Sequence, residues 1–160
     1  MTGLVQRALI VIASAALGTC VITGVASAEM IRGSSGSGAA ATAARIDNRA
    51  LNWAETQRGK WYEWGGTGPN GYDCSGLVMV AFEHAGIQLP RTTYEMLSSR
   101  HLVRTWRPAR GDLAFYGSGH VEFVTVWRDE TFGAHDSGSP VNWITWNEWW
   151  HPTMFFRVVP

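Results

Sequence analysis

Apolar positions along the chain follow two different periods. Ile46, Ala50, Trp53, Ala54 and Gln57 recur at three- and four-residue intervals, one face of a helix, and Gly59 stands where a helix end favours glycine. A turn-rich stretch from Gly65-Gly66 to Gly71 follows. Asp73 then serves as N-cap for a second helix over residues 74–85, whose apolar face is Leu77, Val78, Ala81, Phe82 and Ala85. Thr92 and Glu95 form a capping box for a third, short helix. Beyond Gly111 the chain changes to short runs rich in Val, Phe and Thr, at 112–116, 120–127, 131–134 and 154–159. Arg128-Asp129-Glu130 interrupts two of them and predicts an antiparallel hairpin. Helices first and strands afterwards predict an α+β domain, with N-terminal helices packed on an antiparallel sheet.

The first 45 residues read differently. Arg7, an apolar run over 8–25 and Ala26-Ser27-Ala28 have the layout of a secretory signal peptide cleaved after Ala28. A retained membrane anchor and lipid attachment at Cys20 are the alternatives; small residues at the run's end disfavour the first, and the apolar residues after Cys20 the second. Residues 29–44, rich in Gly, Ser, Ala and Thr, read as a flexible linker. A single domain is expected over 45–160, in a protein that is secreted or held in the cell envelope.

Composition narrows the function. Thirteen basic and thirteen acidic groups give no formal charge, and removing Arg7 with the signal makes it −1, so no basic surplus exists for nucleic acid. Hydrophobic residues at 46% and charged ones at 16% exclude a disordered chain. Two cysteines are too few for a disulfide scaffold or a four-thiolate zinc site. Losing Cys20 leaves Cys74 with no disulfide partner, which means a buried inert thiol, an interchain bridge or a reactive group.

Cys74 falls in the first turn of the second helix, where unpaired N–H groups and the helix dipole stabilise an anion. A thiolate nucleophile needs a base. His84 is ten residues further along the same helix, and His101 and His151 sit in polar or turn-like segments. His120 opens a strand directly after Gly117-Ser118-Gly119, at the loop end where catalytic groups are commonly presented. Side chains alternate along a strand, so His120 and Glu122 share a face. With Arg128-Asp129 as a two-residue turn, His135 lies opposite Glu122 and one diagonal step from His120. A one-residue slip would bring Asp136 there instead.

These residues resemble the NlpC-type cell-wall cysteine peptidases, a family with a papain-like fold, over most of residues 50–160. The resemblance is carried by Asp73-Cys74-Ser75-Gly76-Leu77-Val78, with Tyr62-Glu63-Trp64-Gly65-Gly66 before it. Leu89-Pro90-Arg91-Thr92, Gly111-Asp112-Leu113 and Gly119-His120-Val121 follow in order. It implies a catalytic Cys74, a base at His120, a polar third member at His135, and substrate-side roles for Tyr62, Asp73 and Ser75. Helix capping by Asp73 and Ser75, and a core place for Tyr62, are the plainer roles. It further implies hydrolysis of peptidoglycan stem peptides at the bond from the D-glutamate γ-carboxyl to the diamino acid, with no cofactor and no metal. An amidase or acyltransferase on the same Cys–His pair, or a wall-binding module without catalysis, are the alternatives. Glu122 departs from the family pattern by standing where glycine is common; it is placed to orient His120 or His135, or to narrow the cleft. The interval from His120 to His135 is also longer than in many members.

Other motifs fall away. Gly66, Gly68 and Gly71 fit G-x-G-x-x-G but lack the acid about 20 residues on that a dinucleotide fold needs. His120-x-Glu122 lacks the P-C-x-x-C partner of a zinc deaminase. Nine tryptophans, four of them within 143–150, are expected mainly in the core, with stacking on sugars or peptide as the second reading.

Overall fold

The structure, a computed structural model, describes residues 27–160, with side chains from residue 36 onward. Residues 1–26, which carry Cys20 and all but the last two residues of the expected signal peptide, lie outside the described residues. The first helix, α1, spans Ser27–Glu55. The segment 29–44, expected as a flexible linker, is therefore helical. Alanine is the best helix former, and five of the six residues from Ala39 to Ala44 are alanine. Ala43 is already buried, and its turn lies beside Arg157, Val159 and Pro160. Ala50, Leu51 and Ala54 continue the buried face. The helix stops at Glu55, and a turn carries the chain to Gly59, whose φ of +87° suits glycine.

Two short parallel strands follow, β1 (Trp61–Tyr62) and β2 (Gly71–Tyr72), where only loop was expected. Two residues are too few for a periodic signal. α2 (Cys74–Ala85) begins and ends as predicted: Asp73 accepts a hydrogen bond from the Gly76 N–H, and Gly86 closes the helix at φ 91°. Gly76 has a further reason to be glycine. A Cβ there would meet the Gly66 carbonyl oxygen at 2.1 Å, so the turn before the helix rests directly on its first turn. α3 (Thr93–Leu97) carries the Thr92–Glu95 capping box.

The remaining strands make one antiparallel sheet. They are β3 (Leu102–Arg104), β4 (Leu113–Tyr116), β5 (His120–Val124), β6 (Glu130–Gly133), β7 (Asn142–Thr145) and β8 (Met154–Val158), in spatial order β3-β8-β4-β5-β6-β7. α2 packs on β5, with Phe82 and Phe123 stacked 5.8 Å apart. Leu51, Leu77, Phe115, Val121 and Phe132 fill the core around them. That core leaves little room for indoles: Trp61, Trp64, Trp106, Trp127 and Trp149 are all exposed, against the expectation that tryptophan would lie mainly inside.

The β5–β6 hairpin differs in one respect. β5 ends at Val124, and Phe123 pairs with Phe132 and Val124 with Thr131. The connection is Thr125 to Asp129 instead of a two-residue turn. Thr125 Oγ1 closes it by donating to Glu130 and accepting from the Trp127 N–H, and Asp129 takes a φ of 63°. The pairing is displaced by two residues, an even number, so every side chain keeps its predicted face.

Candidate active site

Cys74 occupies the first position of α2 and forms no disulfide. Its placement follows from Asp73, whose carboxylate accepts from the backbone N–H groups of Gly65 (2.9 Å) and Gly76 (2.7 Å). Arg91 grips both oxygens of the same carboxylate and also donates to Ser75 Oγ at 2.9 Å. Its hydrogen bonds to the accepting Asp73 carboxylate hold the Arg91 guanidinium even above its ordinary range. These groups line a cleft of about 580 Å³ together with Tyr62, Trp64, Tyr94, Gly119, His120 and Cys74. Burial, together with the charges of Cys74 and Asp73, raises the Tyr62 phenol above its usual value, so it enters the cleft as a neutral hydroxyl.

His120 faces Cys74 from the start of β5. Its Nε2 lies 2.9 Å from Glu122 Oε1, and His135 Nδ1 lies 2.9 Å from that same oxygen. Glu122 is fully buried. Its second oxygen accepts from the Tyr116 hydroxyl at 2.9 Å and from the Thr131 hydroxyl, which in turn accepts from Trp146 Nε1 at 3.2 Å. Burial alone would raise the Glu122 carboxyl, but hydrogen bonds from His120, His135 and Thr131 outweigh it and hold the group down to about 2. Glu122 is thus a carboxylate, and the His120 Nε2 it faces must carry a proton. That leaves Nδ1 as the basic nitrogen for Cys74. Burial opposes a charged His120, yet the hydrogen bonds and charges of Cys74 and Glu122 prevail and raise it to about 9. The ring therefore holds its second proton on the side that faces Cys74. Chemically, this arrangement can supply a nucleophile, a base and an orienting anion in one line, with the buried sulfur at the cleft wall.

The NlpC/P60 family model matches residues 59–158, more than half of the chain. The chain belongs to this family. "Probable endopeptidase p60" of Listeria monocytogenes is 39% identical over 102 residues, covering 60% of this chain and 21% of that protein. "Bifunctional muramidase/DL-endopeptidase CwlT" of Bacillus subtilis is 39% identical over 88 residues, covering 50% of this chain and 26% of its own length. The chain thus spans about a fifth to a quarter of these two curated relatives. The solved structure of the peptidoglycan hydrolase RipB from Mycobacterium tuberculosis matches with a TM-score of 0.63 at 26% identity, covering 75% of this chain and 68% of that one. The α+β architecture is that of the family's solved structures.

Within this NlpC/P60 domain, Cys74, His120, Tyr62, Asp73 and Ser75 meet in the cleft, while Glu122 and His135 stand behind His120. The expected third member, His135, hydrogen-bonds Glu122 in this structure. Glu122 makes the hydrogen bond to His120, and His135 also meets the rings of His120 and Trp150 edge-on. The ring centres of His120 and His135 are 5.7 Å apart at 82°, an edge contact. Asp136, the residue a register slip would have placed here, is exposed and comes no nearer than 4.0 Å to His135 Nε2. Asp73 has its oxygens taken by backbone and Arg91, which makes it the hub that shapes the cleft. Arg91 lay inside a quoted motif without a role, and Tyr116, Thr131 and Trp150 gave no sequence signal, because they reach the site only through folding. His120, Glu122 and His135 also form the one cluster among the described residues with a metal-ligating donor set. Their convergence is already accounted for by two hydrogen bonds to one carboxylate oxygen.

Proposed function

We propose that this domain is a cysteine endopeptidase that hydrolyses peptidoglycan stem peptides, at the bond joining the D-glutamate γ-carboxyl to the diamino acid. The observation that carries the reading is the line Cys74–His120–Glu122 ending in an open cleft of about 580 Å³. The proton given up by the Cys74 thiol resides on His120 Nδ1, and the sulfur attacks the amide carbonyl. The Cys74 N–H, unpaired at the start of α2, faces the developing oxyanion. His120 then protonates the leaving amine, and water releases the acyl group from sulfur with His120 as base again. Glu122 keeps the ring in the tautomer these steps need. The chemistry uses no cofactor and no metal. The relatives whose printed names say endopeptidase or peptidoglycan hydrolase support the substrate class. Such a substrate lies outside the cytoplasm, in keeping with an export signal at residues 1–28 and a place in the cell envelope.

The test is to digest purified muropeptides in ¹⁸O-labelled water with the chain that starts at Glu29, and to identify the products by mass spectrometry. A stem ending in ¹⁸O-labelled D-glutamate, beside a free diamino acid amine, is the expected pair. Release of the stem from the sugar would identify an amidase. Products carrying an added amine would identify an acyltransferase. Binding with no products would identify a wall-binding module.

A further inference from the structure

The connection from β7 to β8 contains three of the nine tryptophans, and they do different things. Asn147 ties the loop into a compact turn: its Oδ1 accepts from the N–H groups of Trp149 (2.9 Å) and Trp150 (2.8 Å), and its own N–H donates to the Trp150 carbonyl (3.0 Å). Trp146 turns inward to donate to Thr131, and Trp149 stands out in solvent. Trp150 turns in over the back of the site. Its ring stacks on Tyr116 at 4.6 Å and 17°, and meets His135 edge-on at 4.9 Å and His120 at 5.4 Å.

Two features separate this from ordinary packing. Trp150 Nε1 is buried and has no hydrogen-bond partner, a desolvation cost with no return at that atom. The ring also touches three of the groups around the Glu122 carboxylate while staying out of the cleft where the thiol is presented. An apolar lid over a buried carboxylate has a defined physical effect. With water excluded, the Glu122–His120 hydrogen bond keeps its full electrostatic strength, and the flanking ring limits rotation of the imidazole.

We infer that Trp150 is a positioning residue for this site, acting through His120 and Glu122 by keeping their contact dry and the imidazole aligned with Cys74. The inference rests on Cys74 and His120 as the reacting pair, but not on the identity of the substrate. Trp150→Leu keeps an apolar side chain in place and opens the lid; Trp150→Phe keeps an aromatic one. His120 is titrated by NMR of its ring in each protein, and thiol alkylation by iodoacetamide is followed over the same pH range, with circular dichroism and thermal melts as the check on folding. In Trp150→Leu the His120 ionisation moves away from about 9, because both its burial and its contact with Glu122 change, and the Nε2–H resonance is lost to solvent exchange. On muropeptides, kcat falls about tenfold with KM changed by less than about twofold, and Trp150→Phe recovers most of both readouts. A Trp150→Leu protein that is folded and titrates like the unmodified one overturns the inference. So does a rise in KM at constant kcat, which would make Trp150 a substrate contact. Should the unmodified protein cleave no muropeptide, the substrate reading fails alone, and the titration and alkylation still decide the role of Trp150.

Discussion

At the scale of single residues, the account turns on one carboxylate oxygen shared by two imidazoles. Cys74 and His120 were legible in the sequence because each follows from local rules, a helix start and a strand start after glycine. Glu122 was visible as a departure, but its role was not, since shared parity on β5 says nothing about which rotamer reaches which ring. In the structure Glu122 hydrogen-bonds His120 and His135 hydrogen-bonds Glu122, so variants at the two positions tell their roles apart. Glu122→Gln replaces an obligatory acceptor by an amide that can donate, so it releases the His120 tautomer. The expected result is a loss of about 100-fold in kcat, with the alkaline limb of the pH–rate profile moved down toward about pH 6.5. His135→Asn removes a hydrogen bond to Glu122 but none to His120, and is expected to cost about two- to fivefold, with little change of that limb. In the unmodified protein His120 is raised to about 9, so it keeps its second proton below that pH. Turnover is expected to hold up to about pH 9 and to fall above it, which a steady-state profile measures directly.

At the scale of elements, the long first helix and the hairpin show what pattern reading can and cannot supply. The segment 29–44 was assigned by its Gly and Ser content, while its alanines and the packing of Ala43 decide its state. The hairpin register was wrong by two and its faces right, because parity survives an even shift and loop length is set by a single side chain, Thr125. A buried acid links α1 to the sheet. Asp47 accepts from the Val158 N–H, lies beside Asp112, and has one oxygen without a partner; Arg157 pairs closely with Asp112 and only at 3.9 Å with Asp47. Burial and the neighbouring Asp112 charge push the Asp47 carboxyl far above its ordinary range. The folded protein therefore binds this proton more tightly than the unfolded chain does. The stability it contributes is complete below the unfolded value of about 4 and declines as pH rises beyond it. Asp47→Asn keeps the acceptor for Val158 and can donate to Asp112 without titrating. Denaturant melts at pH 5 and pH 8 should show the variant gaining on the unmodified protein at the higher pH; an equal difference at both would count against a protonated Asp47.

At the scale of the whole molecule, the fold class was readable because helical and strand periods occupy separate halves of the chain. The two-residue strands β1 and β2 and the edge strands β3 and β7 were not, since runs of two to four residues carry little period of their own. The tryptophans follow from the same economy of space: once phenylalanines and leucines fill the single core, most indoles are left outside, with Trp64 lining the cleft and Trp150 roofing the catalytic base. The residues proposed as nucleophile, base and orienting anion all come from this one chain. Turnover is accordingly expected to survive EDTA, and an assay in its presence that loses activity reversibly with added metal would argue for the His120–Glu122–His135 cluster as a metal centre. The most direct test of the central claim is the rate of muropeptide cleavage by the Cys74→Ala variant beside the unmodified chain. The account predicts product from the unmodified chain and a loss of at least about 1,000-fold in the variant, with its melting temperature unchanged. Equal cleavage by a folded Cys74→Ala protein would contradict it.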